Sequence, residues 1–315
     1  MKKVLLLTLI IVGTDQLLGF ALNQLYLHTT SGDRGGVING ALRQKADVLV
    51  LGSSRAKHHV VPKILQEKLS LSVFNAGVDG QDYFYAIMLL DLWTRSHRAP
   101  KAILLHVDPT SLTYSKQEMD RTSIFSGYFW ENPRVREILL MRGKYEWIKY
   151  VSSSYRFNGK VLQIAKTLVT EDEDLSDGYV GLQGSLGKNS IRAGDARIDV
   201  SEFTAPFWNL KLNYLFELAS YCRSNGIQLI LFHTPRLRED PAALAAWSER
   251  LSLLRQSHEV IEFLDLSERT SKLFADRQDL YKDGAHLNSE GAEVFSTVLA
   301  EEVARRLGTI TAKHQ

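Results

Sequence analysis

The chain has 315 residues, of which 44% are hydrophobic, 23% charged and 10% aromatic, a size that suits two domains or one α/β domain carrying an insertion. This composition excludes intrinsic disorder, a collagen-like repeat and a polytopic membrane protein. A formal charge of +2 leaves no footprint of a nucleic-acid binder, and the one cysteine, Cys222, excludes a disulfide framework and a cysteine-rich zinc site.

Lys2 and Lys3 precede an apolar run from Val4 to Val12, which Gly13 to Gln16 interrupt before a second apolar stretch from Leu17 to Leu27. The first run alone rises only about 14 Å as a helix, too little for a hydrocarbon core of about 30 Å. The two runs together could span it, with Asp15 near the centre at a cost of roughly 3 kcal/mol. A signal peptide cleaved near Gly19 or Ala21 is the competing reading. The lysines followed at once by apolar residues favour export, and the polar break favours an uncleaved anchor over residues 1–30 with the body outside the cytoplasm, periplasmic or extracellular.

After a Gly-rich approach (Gly32, Gly35, Gly36, Gly40), Asp47–Leu51 reads as a buried strand that ends in Gly52-Ser53-Ser54. Pro62 then opens a helix carrying Ile64, Leu65 and Leu69. Leu71–Phe74 reads as the second strand, Gln81–His97 as a helix and Ala102–Val107 as the third strand. Phe207–Asn225 reads as a helix that Gly226 stops. Gln228–Phe232 and Val260–Leu264 complete five strands, with a helix over Pro241–His258 between them. A last helix, capped by Asn288 or Ser289, shows Phe295, Val298, Leu299 and Val303 on one face. Short apolar strands alternating with helices predict a parallel sheet covered on both faces, with ligands at the carboxyl ends of its strands. Residues 111–205 break this rhythm with Tyr128-Phe129-Trp130, Tyr145, Trp147, Tyr150 and Tyr155, then a Gly-rich stretch from Gly178 to Gly194. They read as a lid-like insertion after the third strand, which leaves residues 45–110 and 206–308 for the α/β domain. The aromatics pack the insertion's own core or stack on sugar rings.

Two weak signals converge at the strand ends. Ser54 follows the first strand on a glycine turn before a helix, where a serine can be exposed at the sheet edge. Asp283-Gly284-Ala285-His286 lies just before the last helix, and a carboxylate three residues before a histidine can hold Nδ1 and leave Nε2 for a serine. Taken singly, the first is an ordinary turn residue and the second a common chance pair. The Gly-x-Ser-x-Gly elbow fails at Ala56, and Ser54-Arg55-Ala56-Lys57 lacks the partner motifs of the Ser-x-x-Lys enzymes. His58-His59 reads as a partly exposed helix start rather than a metal site. His106 and His233 end strands and are candidates to line the site. Cys222 reads as a packed helical residue.

Three blocks in order, Val50-Leu51-Gly52-Ser53-Ser54, Phe74-Asn75-Ala76-Gly77-Val78-Asp79-Gly80 and Asp283-Gly284-Ala285-His286-Leu287-Asn288, resemble the SGNH (GDSL-like) hydrolase family. Within it the chain is most similar to membrane-anchored bacterial members with Gly-Ser-Ser-Arg in the first block. The resemblance implies a flavodoxin-like three-layer sandwich with a five-stranded parallel sheet. It implies Ser54 as nucleophile, His286 as general base and acid, Asp283 as orienting carboxylate, and the N–H groups of Ser54 and Gly80 as oxyanion donors. The family's further donor, an Asn after the third strand, is absent. That place reads His106-Val107-Asp108-Pro109, and an ionised Asp108 cannot donate. Arg55 and Asp108 are further candidates to line the site. The function expected is a serine esterase or O-acyltransferase on small acyl (acetyl) esters of an envelope or extracellular polysaccharide, with no metal or organic cofactor. The alternative is an inactive member of the fold that binds glycan or assists polysaccharide assembly.

Overall fold

In the computed structural model, which describes residues 1–29, 36–81, 83–96, 99–108, 111–113, 115–167, 177–186, 206–237, 245, 247, 249, 261–264 and 266–311, five strands form one parallel sheet. They are β1 (Val48–Leu51), β2 (Val73–Asn75), β3 (Ala102–His106), β4 (Gln228–Phe232) and β5 (Ile261–Leu264), in the order β2-β1-β3-β4-β5. Val48 pairs in register with Val73 and Ala102, Ala102 with Gln228, and Leu229 with Ile261. Every residue of β1 and β3 is buried, as a sheet covered on both faces requires. In this order the chain reverses its direction of winding between β1 and β3, so the crevice outside their carboxyl ends is where a doubly wound sheet binds ligands.

The chain separates into two compact units. The sheet belongs to the one made of residues 45–87, 97–115 and 175–315. Its α-helices include α3 (Ser54–His59), α4 (Pro62–Leu69), α10 (Pro206–Ser224), α11 (Ser267–Phe274) and α12 (Ser289–Thr311). One core packs Val48, Val50, Leu104 and Ile230 with Phe295, Val298, Leu299 and Val303 of α12. Pleat alternation turns Leu49, Ile103 and Leu231 to the opposite face, and all three are fully buried as well. The chain leaves this unit along α5 (Tyr83–Ser96), whose Phe84 ring meets Tyr214 of α10 edge-on at 5.5 Å. Lys211 of α10 is fully buried, and its ammonium donates to the carbonyls of Ser111 (2.9 Å) and Thr113 (2.8 Å).

The other unit comprises residues 1–44, 88–96 and 116–174. It contains α1 (Lys2–His28), α2 (Gly36–Arg43), α6 (Lys116–Arg121), a 3₁₀ turn at Thr122–Tyr128, α7 (Pro133–Leu140), α8 (Ile148–Val151) and α9 (Val161–Thr167). The expected break at Gly13–Gln16 does not interrupt α1, which is one helix long and apolar enough to cross a membrane. Val4–Val12 are exposed, whereas Gly19, Leu22, Asn23 and Tyr26 are buried. The Tyr26 ring lies edge-on to Tyr128 (6.3 Å) and against Phe157 (5.6 Å), and its hydroxyl donates to the Ile124 carbonyl. Gly127 is required there, because a Cβ would stand 2.2 Å from that ring. Phe129 stacks on Tyr150 at 3.6 Å, so these aromatics build a core of their own. Asn132 caps α7 by accepting from the Val135 N–H (3.0 Å) and donates to Asp91 (2.5 Å).

The strand readings agree with the observed bounds to within about two residues. The helix expected over Pro241–His258 lies, apart from Ala245, Trp247 and Glu249, outside the described residues, as do 187–194 of the Gly-rich stretch.

Candidate active site

Ser54 is placed by a turn that only glycine can make. Gly52 has φ +138°, and a Cβ on it would meet the His106 Cβ at 2.7 Å. Ser53 then caps α3, its hydroxyl accepting from the Arg55 N–H at 3.4 Å, so Ser54 begins the helix. The loop after β2 is sewn to this turn, with the Val78 N–H on the Gly52 carbonyl (3.0 Å) and the Ala76 N–H on the Val50 carbonyl (2.8 Å). Asn75 braces the far end of α3, since its Nδ2 donates to the carbonyls of Ala56 and Val60, both at 2.8 Å, and its Oδ1 accepts from the Gly77 N–H (3.0 Å). Gly77 lies so close to α3 that a Cβ would come within 2.5 Å of the Lys57 nitrogen.

The histidine arrives on a short hairpin. Tyr281 and Leu287 form an antiparallel bridge, and the His286 carbonyl accepts from the Lys282 N–H at 2.8 Å. The Leu287 N–H donates to Nε2 of His59 at 2.9 Å, which ties the hairpin to the end of α3. His286 Nε2 then stands 2.9 Å from Ser54 Oγ, and its Nδ1 lies 3.0 Å from each oxygen of Asp283. Asp283 Oδ1 also accepts from the N–H groups of Ala285 (2.8 Å) and His286 (2.9 Å). Partial burial of the Asp283 carboxyl would raise its pKa, but these N–H groups and the imidazole outweigh that and hold it below the usual range. An ionised Asp283 accepts a hydrogen bond from Nδ1–H, leaving the Nε2 lone pair to accept from the Ser54 hydroxyl. Serine, histidine and aspartate thus form one hydrogen-bonded chain.

The remaining expected residues sit around this chain. Arg55 and Asp108 are both buried and form an ion pair, and the Asp108 N–H donates to Ser111 Oγ at 3.0 Å. An ionised Asp108 held by a guanidinium accepts hydrogen bonds and supplies none to an oxyanion. His106 is 1% exposed and lies under the turn, 3.5 Å from Ser53 Oγ through Nδ1 and 3.4 Å from Thr234 Oγ1 through Nε2. Burial, reinforced by the Arg55 charge, pushes its pKa well below the usual imidazole range. His233 Nδ1 donates to the Val107 carbonyl at 3.1 Å, and its ring stacks on that of His106. Gly80 has φ +65° in the loop that follows Val78. Cys222 is buried, and burial pushes its thiol up to about 12.

His58 and His59 differ from expectation, since both are buried and stand at the end of α3 rather than at an exposed helix start. The reason is α3 itself, a six-residue helix between the Ser54 turn and Pro62 that turns both rings inward. Burial, with the Arg55 charge next, keeps the His59 pKa well below the usual range, consistent with a neutral ring accepting from Leu287. His58 faces the Val180 carbonyl (2.6 Å) and Asp79 Oδ1 (3.0 Å), and Lys57 also reaches Asp79 (2.8 Å). His59, Asn75 and Asp79 were therefore missed as supports of the site. Their signal was proximity to the first and second blocks, but nothing in the spacing shows which carbonyls and N–H groups they meet.

Set beside known proteins, the chain matches no family model and no curated protein.

Proposed function

We propose that the protein is a serine esterase or O-acyltransferase of the SGNH type, acting on small acyl esters, with acetylated envelope or extracellular polysaccharide as the substrate class. The observation that carries this reading is the chain from Ser54 Oγ through His286 to Asp283, at 2.9 and 3.0 Å. The resemblance of the three sequence blocks supports it, and so does their convergence at the carboxyl edge of β1 and β2. In the reaction His286 Nε2 takes the Ser54 proton as Oγ bonds to the ester carbonyl carbon, and Asp283 stabilises the imidazolium. The tetrahedral oxyanion is met by the N–H groups of Ser54, in the first turn of α3 where no intrahelical acceptor exists, and of Gly80. Collapse breaks the bond to the leaving alcohol, which takes its proton from His286. Water, or a sugar hydroxyl in a transfer, then repeats the sequence on the acyl-serine and frees Ser54.

An exported, membrane-anchored location belongs to the same reading. It is supported by the length and apolar character of α1, and by the hydrogen bonds that Asp15 accepts from Ser152, Ser153 and Ser154, which cleavage near Gly19 would remove. A second reading, a glycan-binding member without turnover, is favoured by one feature: Asp108, paired with Arg55, stands where the family's Asn donor is expected. The two part on one assay. The full-length protein in detergent hydrolyses p-nitrophenyl acetate and loses this with Ser54→Ala and with His286→Ala. A wild type inert on this ester and on acetylated glycans supports the binding protein, and activity unchanged in both variants overturns the triad.

A further inference from the structure

Asp15 lies in the middle of α1, where a bare carboxylate is expensive in lipid. It is not bare. Oδ1 accepts from Ser152 Oγ (2.6 Å) and from the Ser154 N–H (3.2 Å) and Oγ (2.5 Å), and Oδ2 accepts from the Ser153 N–H (2.8 Å). One turn further on, Gly19 is pressed against Ser153 so closely that a Cβ would stand 2.3 Å from its Cβ. The Ser152–Ser154 loop is therefore fixed to α1 between Asp15 and Gly19.

If α1 spans a bilayer, this has a geometric consequence. A hydrocarbon core of about 30 Å takes in about 20 helical residues, and Asp15 stands only about 18 Å along the axis from Lys3. Whatever is bonded to Asp15 then lies within the thickness of the bilayer. The residues flanking the serine loop suit that position. Trp147, Ile148, Val151, Tyr155 and Leu162 are all at least half exposed, Leu162 by 87%, as are Leu17, Leu18 and Phe20 at the same level of α1. Between 142 and 162 the basic residues that reach the surface are Arg142, Lys144, Lys149 and Arg156, while Lys160 is buried on Ser126 Oγ, and the one acidic residue is Glu146. Glu146 is buried and paired with Arg142 and Lys149. Apolar side chains mixed with Trp, Tyr and a basic surplus are what an interface with anionic headgroups takes.

We propose that residues 147–162 form a second membrane-binding surface, which inserts into the outer half of an anionic bilayer beside α1 and holds the serine loop there to satisfy Asp15. This rests on the reading of α1 as an uncleaved anchor, and it makes that unit a platform seated in the bilayer rather than a body tethered by one helix.

The test places single nitroxide labels on the full-length protein, in a Cys222→Ala background, in vesicles of phosphatidylcholine and phosphatidylglycerol at 3:1. Labels at Ile10→Cys, Val151→Cys and Leu162→Cys are read by collision with oxygen and with a water-soluble nickel complex. All three are expected to collide several-fold more with oxygen than with nickel, and Asp15→Ala is expected to shift the labels at 151 and 162 towards nickel. Oxygen-rich collision at 10 with nickel-rich collision at 151 and 162 overturns the second surface and leaves the anchor standing. Nickel-rich collision at 10 overturns the anchor and this proposal with it. Low collision with both reagents at 151 and 162 shows them packed against protein, of this chain or of a second copy, and overturns the lipid assignment.

Discussion

Replacing Asp283 by Asn keeps the size of the side chain and changes what it can do for His286. In the wild type both carboxylate oxygens accept, at 3.0 Å, the Nδ1 proton of His286, and Oδ1 also takes two backbone N–H groups. An Asn at 283 can keep its oxygen on those N–H groups, which turns its NH₂ towards Nδ1. The imidazole then puts its proton on Nε2, facing Ser54, and cannot take the serine proton from there. Wrong-tautomer substitutions of this kind cost on the order of 10⁴ in rate, about 5 kcal/mol. The Asp283 side chain is 52% exposed, so water competes for Nδ1 and the expected loss is about 10³ to 10⁴. Asp283→Ala lets water into that place and is expected to lose less than Asp283→Asn. The assay is kcat/KM on p-nitrophenyl acetate, with circular dichroism to show that the fold is kept. An Asn variant within fivefold of the wild type would refute the orienting role of Asp283.

Three further outcomes follow from the supports of the site. His59→Leu leaves the buried Leu287 N–H without its acceptor, and urea unfolding is expected to show a loss of about 1–3 kcal/mol, with no loss contradicting the assigned bond. Gly52→Ala adds a Cβ 2.7 Å from that of His106 at φ +138°, and is expected to cost about 3 kcal/mol or more in the same measurement; a variant as stable as wild type would contradict the turn geometry. Burial would raise the Asp79 pKa, but His58 and Lys57 hold it well below the usual carboxylate range. A depressed folded-state pKa means stabilisation that is present above about pH 4 and lost as the pH falls further. Tm of the wild type is therefore expected to drop more steeply from pH 5 to 3 than that of Asp79→Asn, and identical acid curves would contradict this.

The fold was legible where periodicity and burial agree. β4 carries apolar residues from end to end after Gln228 and is bounded by Gly226 and by the polar stretch after Phe232, so its limits could be read directly. α2 was not legible, because Gly36 and Gly40 signal a loop. Tertiary packing of Ile38, Asn39 and Ala41 outweighs the weak helix propensity of those glycines. The same holds for α3, whose six residues, Ser54 to His59, are too short and too polar to show a helical period. α1 read as two runs because Gly13 to Gln16 interrupt its hydropathy, whereas the backbone can carry a polar turn once Asp15 has partners in the Ser152–Ser154 loop. At the site, Ser54, His286 and Asp283 could be named because their chemistry is local to two short blocks. The acceptor role of His59 and the pairing of Asp108 with Arg55 depend on contacts 228 and 53 residues apart in the chain, which no spacing rule reveals.

The central claim is that Ser54 is a nucleophile activated by His286. Mass spectrometry of the intact full-length protein after treatment with a fluorophosphonate tests it most directly, because the reagent traps an activated serine whatever the natural ester is. One adduct per chain is expected, mapping by peptide digestion to Ser54 and absent from Ser54→Ala and His286→Ala. A folded wild type that stays unlabelled, or an adduct that persists in both variants, would contradict it.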